Sequence, residues 1–240
     1  MGLQYALIVA VSSLLNYSNN AIIQFFLPVF TERALERGIS EFQIGLILSV
    51  YAFSIVLQSF LVEGLRQCIG SKRTYMLGVT LGALVSALSI ALNYAPRTIF
   101  VALAFLLKFC DGIREPQFEV VAFVYFAEGV LPHTTKAMQG RAISIYKTFG
   151  SLGYLLGSFQ APLLLEYLGY SGGFAAFLMF YSVCWVISSG LLPQIDSLKV
   201  KASEKASSSG DQSIKISMLR VLLRKDLQPC FIAIFMSMFA

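Results

Sequence analysis

The sequence predicts an all-α integral membrane protein, and three observations carry that expectation. Hydrophobic residues make up 57% of the chain against 13% charged, and mean hydropathy is +0.72, more apolar surface than one water-soluble core can hide. The apolar residues gather into six long stretches, near 3–28, 42–62, 74–94, 98–127, 137–165 and 173–192, and a seventh begins near Leu227. Each of the six reaches the ~20 residues that cross the hydrocarbon as a helix. They are too long and too uniformly apolar for barrel strands, which leaves the helix as the way to satisfy backbone hydrogen bonds in lipid.

The first stretch has no basic start, outruns a signal core and carries "NYSNN" in its middle, so it reads as a retained span rather than a secretory leader. Asn16, Asn20 and Gln24 repeat every four residues and share one stripe, with Tyr17 and Asn19 beside it. Amides give and accept hydrogen bonds without charge, which suits the orientation of a polar solute and equally suits a contact with a neighbouring helix. Asn16, Tyr17, Asn20 and Gln24 are the candidate substrate-binding residues.

The second and third stretches flank the basic connection "EGLRQCIGSKRTYMLG". Gly78 and Gly82, four residues apart in the third, predict close helix packing.

The fourth stretch is the anomaly. "KFCDGIREPQFE" places Lys108, Asp111, Arg114, Glu115 and Glu119 inside an apolar run. An ionised group at the bilayer centre costs about 2.5–3.5 kcal/mol on insertion scales, so these five must face protein or water rather than lipid. At 100° per residue, Lys108, Asp111, Glu115 and Glu119 lie within an arc of roughly 80°, with Arg114 about 60° from Asp111. Pro116 cannot donate to the carbonyl of Gly112, so this turn is expected to bend. A charged, bendable stripe suits a hydrated path; a closed ion-pair network holding two helices together is the competing reading.

In the fifth stretch Gly150, Gly153, Gly157 and Ala161 recur every three or four residues and predict a face that another backbone approaches closely. Gly112, Pro116, Gly153 and Gly157 are the candidate packing or hinge positions. Lys147 lies in the same span, fifteen residues past Pro132 in the expected turn, level with Gln117 fifteen residues before it. That depth predicts a pairing of Lys147 with Glu115 or Glu119, leaving Asp111 to Lys108 or Arg114.

After the sixth stretch the chain turns polar, Ser- and Lys-rich: 1–193 is read as the transmembrane domain and 194–226 as a cytoplasmic linker with a basic amphipathic stretch, "MLRVLLRKD". Residues 227–240 are read as the cut-off start of a second transmembrane half. With the N-terminus placed in the cytoplasm, the inside connections hold twelve Lys and Arg and the outside ones three, Arg33, Arg37 and Arg97, which favours that orientation. The excess of basic residues, net charge +5, is thus assigned to topology and not to nucleic acid. Cys68, Cys110, Cys184 and Cys230 have neither CxxC spacing nor a neighbouring histidine, and read as small hydrophobes. His133, the sole histidine, reads as a solvated turn residue. With no nucleotide-binding loop, metal-ligand cluster or catalytic triad in view, neither enzymatic activity nor a cofactor or metal is expected.

Six spans, a basic linker and a restarting helix resemble the N-terminal half of a major facilitator superfamily transporter. "EGLRQCIGSKRTYMLG" is similar to that family's cytoplasmic motif GxLADRxGRKR, with Gly70, Lys72 and Arg73 in place as the gating loop, Gln67 standing at the Asp and Glu63 at the first Gly. "KFCDG" resembles the helix 4 motif RxxQG, and Gly153, Gly157, Ser158, Ala161 and Pro162 resemble GxxxGPxxGG of helix 5, without the Pro that follows the second Gly. "FFLPVFTERALERGIS", "IGSKRTYMLG" and "FGSLGYLLG" look most like the vesicular amine and polyamine transporter branch.

The resemblance implies a secondary active transporter of a small polar or cationic solute, proton-coupled as symporter or antiporter and working by alternating access. It would be embedded in a plasma or vesicular membrane and completed by a C-terminal six-helix half, so residues 1–240 alone are not expected to transport. Asp111 is the first candidate for substrate or proton coupling, with Lys108 holding it ionised, Glu115 or Glu119 as the second protonatable group, and Arg114 and Lys147 completing the set. The other class left open is a non-transporting scaffold or receptor retaining the fold, favoured by Gln67 in the gating motif.

Overall fold

The protein is described by a computed structural model over residues 3–127 and 135–192, all within one compact unit, Met1–Ile195. The described residues form helices and no strand: α1 Leu3–Glu36, α2 Glu41–Ile69, α3 Ser71–Tyr94, α4 Arg97–Ala127 and α5 Lys136–Leu191. The expected turn around Pro132 and His133, the linker 194–226, the segment 227–240 and Cys230 lie outside the described residues.

Four of the expected spans correspond to α1 through α4. α1 runs eight residues past the expected end at 28, because "TERALE" continues the helix after the apolar count has stopped. The fifth and sixth are not separated by a loop. They form the two limbs of α5, 56 residues long, joined at Gly169 with φ 66 and ψ −178. That combination is open to glycine and strained for any residue with a Cβ, so a single glycine redirects the helix.

The connections from α1 to α2, α2 to α3 and α3 to α4 are short, which makes these successive helices antiparallel. Ser40 caps α2 reciprocally: its hydroxyl accepts from the Gln43 N–H at 3.3 Å while the Gln43 side chain accepts from the Ser40 N–H at 3.2 Å. Gly70 alone joins α2 to α3, with φ 92 and ψ 154. α1 packs on α5, α2 on α4, and α3 lies against both α4 and α5.

Aromatic side chains fill the interior. Phe30 stacks between Phe26 at 4.9 Å and Phe100 at 5.7 Å, and Phe25 meets Phe174 edge-on at 4.9 Å. On the outside, Phe53, Leu61, Phe159, Met179 and Val186 are exposed, the inverse of a soluble protein. α1, α2, α3 and α5 are each long and apolar enough to cross a membrane; α4 is as long, but its charged residues break the apolar stretch. The protein is an integral multi-pass membrane protein.

Candidate functional site

α4 keeps its helix through Pro116, and its charged stripe divides into a buried and an open part. Arg114 is 0% exposed, and Lys108 and Asp111 are each 3% exposed. Asp111 sits between the two cations: the Lys108 ammonium donates to Oδ2 at 3.1 Å and the Arg114 guanidinium to Oδ1. Arg114 also donates to the Tyr181 hydroxyl on the second limb of α5 at 2.7 Å, while its Nε has no hydrogen-bond partner among the described residues. The Lys108 ammonium lies over the Phe26 ring, 3.9 Å from the centroid, and 5.3 Å from that of Tyr51.

One and two turns further along α4, the carboxylates turn outward. Glu115 accepts a hydrogen bond from the Tyr51 hydroxyl on α2, and Glu119 forms an ion pair with Lys147 on α5. The Lys147 ammonium also sits 5.2 Å from the Phe123 ring centroid. Of the two partners the depth argument allowed, Glu119 is the one Lys147 takes, and Asp111 takes both Lys108 and Arg114.

Glu115, Glu119 and Lys147 line a cavity of about 270 Å³ with Asn16 and Asn20 from α1 and Gly150, Ser151 and Tyr154 from α5. The Asn20 amide donates to the Asn16 backbone oxygen at 2.9 Å, and the Asn16 amide to the Tyr146 carbonyl at 2.9 Å, so the amide stripe also ties α1 to α5. Gln24 does not reach this cavity. It lines a second, of about 340 Å³, with Pro28, Ser158, Ala161, Pro162 and Leu165, and accepts from the Ser158 hydroxyl at 3.3 Å. The Tyr17 hydroxyl accepts from the Gln160 amide at 2.6 Å, away from both cavities.

The small residues of α5 permit this closeness. A Cβ on Gly153 would stand 2.3 Å from the Tyr17 carbonyl oxygen, one on Gly150 2.5 Å from the Asn16 amide nitrogen, and one on Gly157 2.8 Å from the Ala21 Cα. Gly112 serves α4 and α2 in the same way, with the Tyr51 carbonyl oxygen 2.4 Å from where its Cβ would be.

At the α2–α3 connection, Lys72 donates to the Ser189 carbonyl at 2.7 Å, fastening the loop to the second limb of α5, and Arg73 is exposed. Gln67 donates to Glu63 at 3.0 Å, and Glu63 pairs with Arg66 at 2.7 Å.

Tyr51, Ser151, Tyr154 and Tyr181 were among the contributors not singled out from the sequence. The signal for Tyr51 was a phenol in mid-span, since a buried Tyr hydroxyl needs a partner. Which helix supplies the partner is a matter of packing.

Long apolar helices enclosing a small charged cavity define a membrane protein with a polar, solute-sized site. The chain matches the family model of the Major Facilitator Superfamily over residues 9–240 and belongs to that superfamily, whose members move small solutes across membranes. The match establishes the superfamily and singles out none of its branches. No curated protein compared with the chain matches it.

Proposed function

We propose that this protein is a secondary active transporter that couples the movement of a small polar or cationic solute to protons by alternating access, with its N-terminus in the cytoplasm. One observation carries the reading: two carboxylates and an ammonium line a cavity between α1, α4 and α5, within spans where each isolated charge would cost about 2.5–3.5 kcal/mol. A helix bundle held together for stability alone has no need of such a cavity. Glu115 and Glu119 are the carboxylates that solute and water reach, and Asp111, held by two cations, fixes the stripe behind them. Asn16 and Asn20 orient the solute, and Gly70, Lys72 and Arg73 form the cytoplasmic gate. A place in the vesicular amine and polyamine branch, proposed on the sequence motifs alone, would go with a solute bearing an ammonium group.

The test uses the full-length protein in vesicles loaded with a pH-sensitive dye. Addition of pooled amines, amino acids, carboxylates or sugars should drive proton movement with one pool, and Glu115→Gln and Asp111→Asn should abolish it. Solute uptake with no proton movement would remove coupling. Single cysteines placed on opposite faces should change their reactivity reciprocally with the active pool, and reactivity that never changes would favour the scaffold reading.

A further inference from the structure

Resting on that transport reading, we infer that the cavity selects a small zwitterion, a solute carrying one ammonium and one carboxylate, rather than a simple cation. The inference starts from charge. Lys108, Arg114 and Lys147 face Asp111, Glu115 and Glu119, three positive against three negative when all are ionised. The set is balanced before any solute arrives. A monoamine entering adds an uncompensated positive charge to a site walled by apolar helices, and a monocarboxylate adds a negative one.

A zwitterion adds none, and the site already holds the pair it would exchange with. Lys147 and Glu119 are the exposed members of the set, with side chains 56% and 39% accessible, whereas the Lys108–Asp111–Arg114 group is closed off. They are therefore the pair of the set that an entering solute can reach and open. The solute ammonium then takes Glu119, with Glu115 near it on the next turn of α4, and the solute carboxylate takes Lys147. Lys147 and Glu119 each keep a charged partner throughout. Asn16, Ser151 and Tyr154 supply neutral hydrogen-bonding groups around the exchange. The cavity measures about 270 Å³.

The test measures thermal stabilisation of the purified full-length protein by three pools: α- and ω-amino acids with betaines, mono- and polyamines, and mono- and dicarboxylates. The zwitterion pool should stabilise it and the other two should not. Lys147→Gln should weaken the zwitterion effect at least tenfold and admit monoamines. Glu119→Gln should weaken it similarly and admit monocarboxylates. The exchanged pair, Glu119→Lys with Lys147→Glu, should recover most zwitterion binding. Size-exclusion profiles establish that each variant is folded, which both half-exposed positions should tolerate. Stabilisation by the amine or carboxylate pool in its place, by no pool, or by zwitterions as strongly in the single variants as in the unaltered protein overturns the inference. Cysteine reactivity on the same preparations separates the two failures. Alternation driven by amines leaves the transporter standing without zwitterion selectivity, and reactivity unchanged by every pool removes both.

Discussion

Tyr51 on α2 donates its phenolic hydrogen bond to Glu115 on α4, across 64 positions of sequence, and the two residues join the α2–α4 pair to the cavity. The bond gives the Glu115 carboxylate a donor at the edge of the cavity, and the Tyr51 ring also faces the Lys108 ammonium at 5.3 Å. Tyr51→Phe keeps the ring and removes only the donor. A hydrogen bond to a charged group contributes about 1.5–3 kcal/mol at most, less where water in the cavity can replace the donor. We expect a lower melting temperature in detergent and impaired proton movement, whereas Tyr51→Ala should lose further stability with the ring. A Tyr51→Phe protein that melts and transports as the unaltered one does would show that the bond carries no weight.

The spans, the charged stripe and the depth of Lys147 were legible in the sequence because each depends on spacing along the chain or on the cost of charge in lipid. The Lys147–Glu119 pair follows from two antiparallel helices and a rise per residue. The Tyr51–Glu115 bond does not, because hydropathy identifies spans without saying which ones touch. The ranking of the carboxylates was hidden for the same reason: Asp111, Glu115 and Glu119 share one stripe, and only the packing of α1, α2 and α5 around it closes the first and opens the other two. The loop expected between the fifth and sixth spans was absent because one glycine suffices to redirect a helix.

Gly153 and Gly140 both lie in α5, and a methyl group should act oppositely at the two. At Gly153 the added carbon meets the Tyr17 carbonyl oxygen at 2.3 Å, so α1 and α5 must separate, and overpacking of this kind costs about 1–3 kcal/mol. At Gly140 nothing lies within 4 Å, so replacing a helical glycine should stabilise by about 0.4–1 kcal/mol. Melting temperatures of Gly153→Ala and Gly140→Ala in one detergent should move in opposite directions. Equal shifts would mean that α1 and α5 do not approach as described.

Gly169 separates conformation from crowding. A Cβ there would have nothing within 4 Å, yet φ is 66 and ψ −178, a region that residues with a Cβ enter at a cost of about 1–3 kcal/mol. Gly169→Ala should therefore destabilise the protein without any steric contact. Gly190→Ala, equally uncrowded and within the helical part of α5, should not. If both variants melt alike, the bend does not depend on glycine.

The Lys108–Asp111–Arg114 group yields an ordering that a simple count of ion pairs would not. Asp111→Asn leaves two buried cations around a neutral amide with no counter-charge, and breaking a buried pair costs about 3–5 kcal/mol even when one charge is left. Removing Lys108 leaves Asp111 still bonded to Arg114, a balanced pair, and a methionine there keeps apolar contact with the Phe26 ring. Asp111→Asn should thus destabilise far more than Lys108→Met, and combining the two should recover stability relative to Asp111→Asn alone, because one of the two stranded cations is gone. Measured as a double-mutant cycle in detergent melts, the coupling should exceed 1 kcal/mol, above the ~0.3–0.5 kcal/mol scatter of independent sites. Additive effects would mean that Lys108 and Arg114 do not share Asp111, and the closed half of the α4 stripe would have to be divided differently.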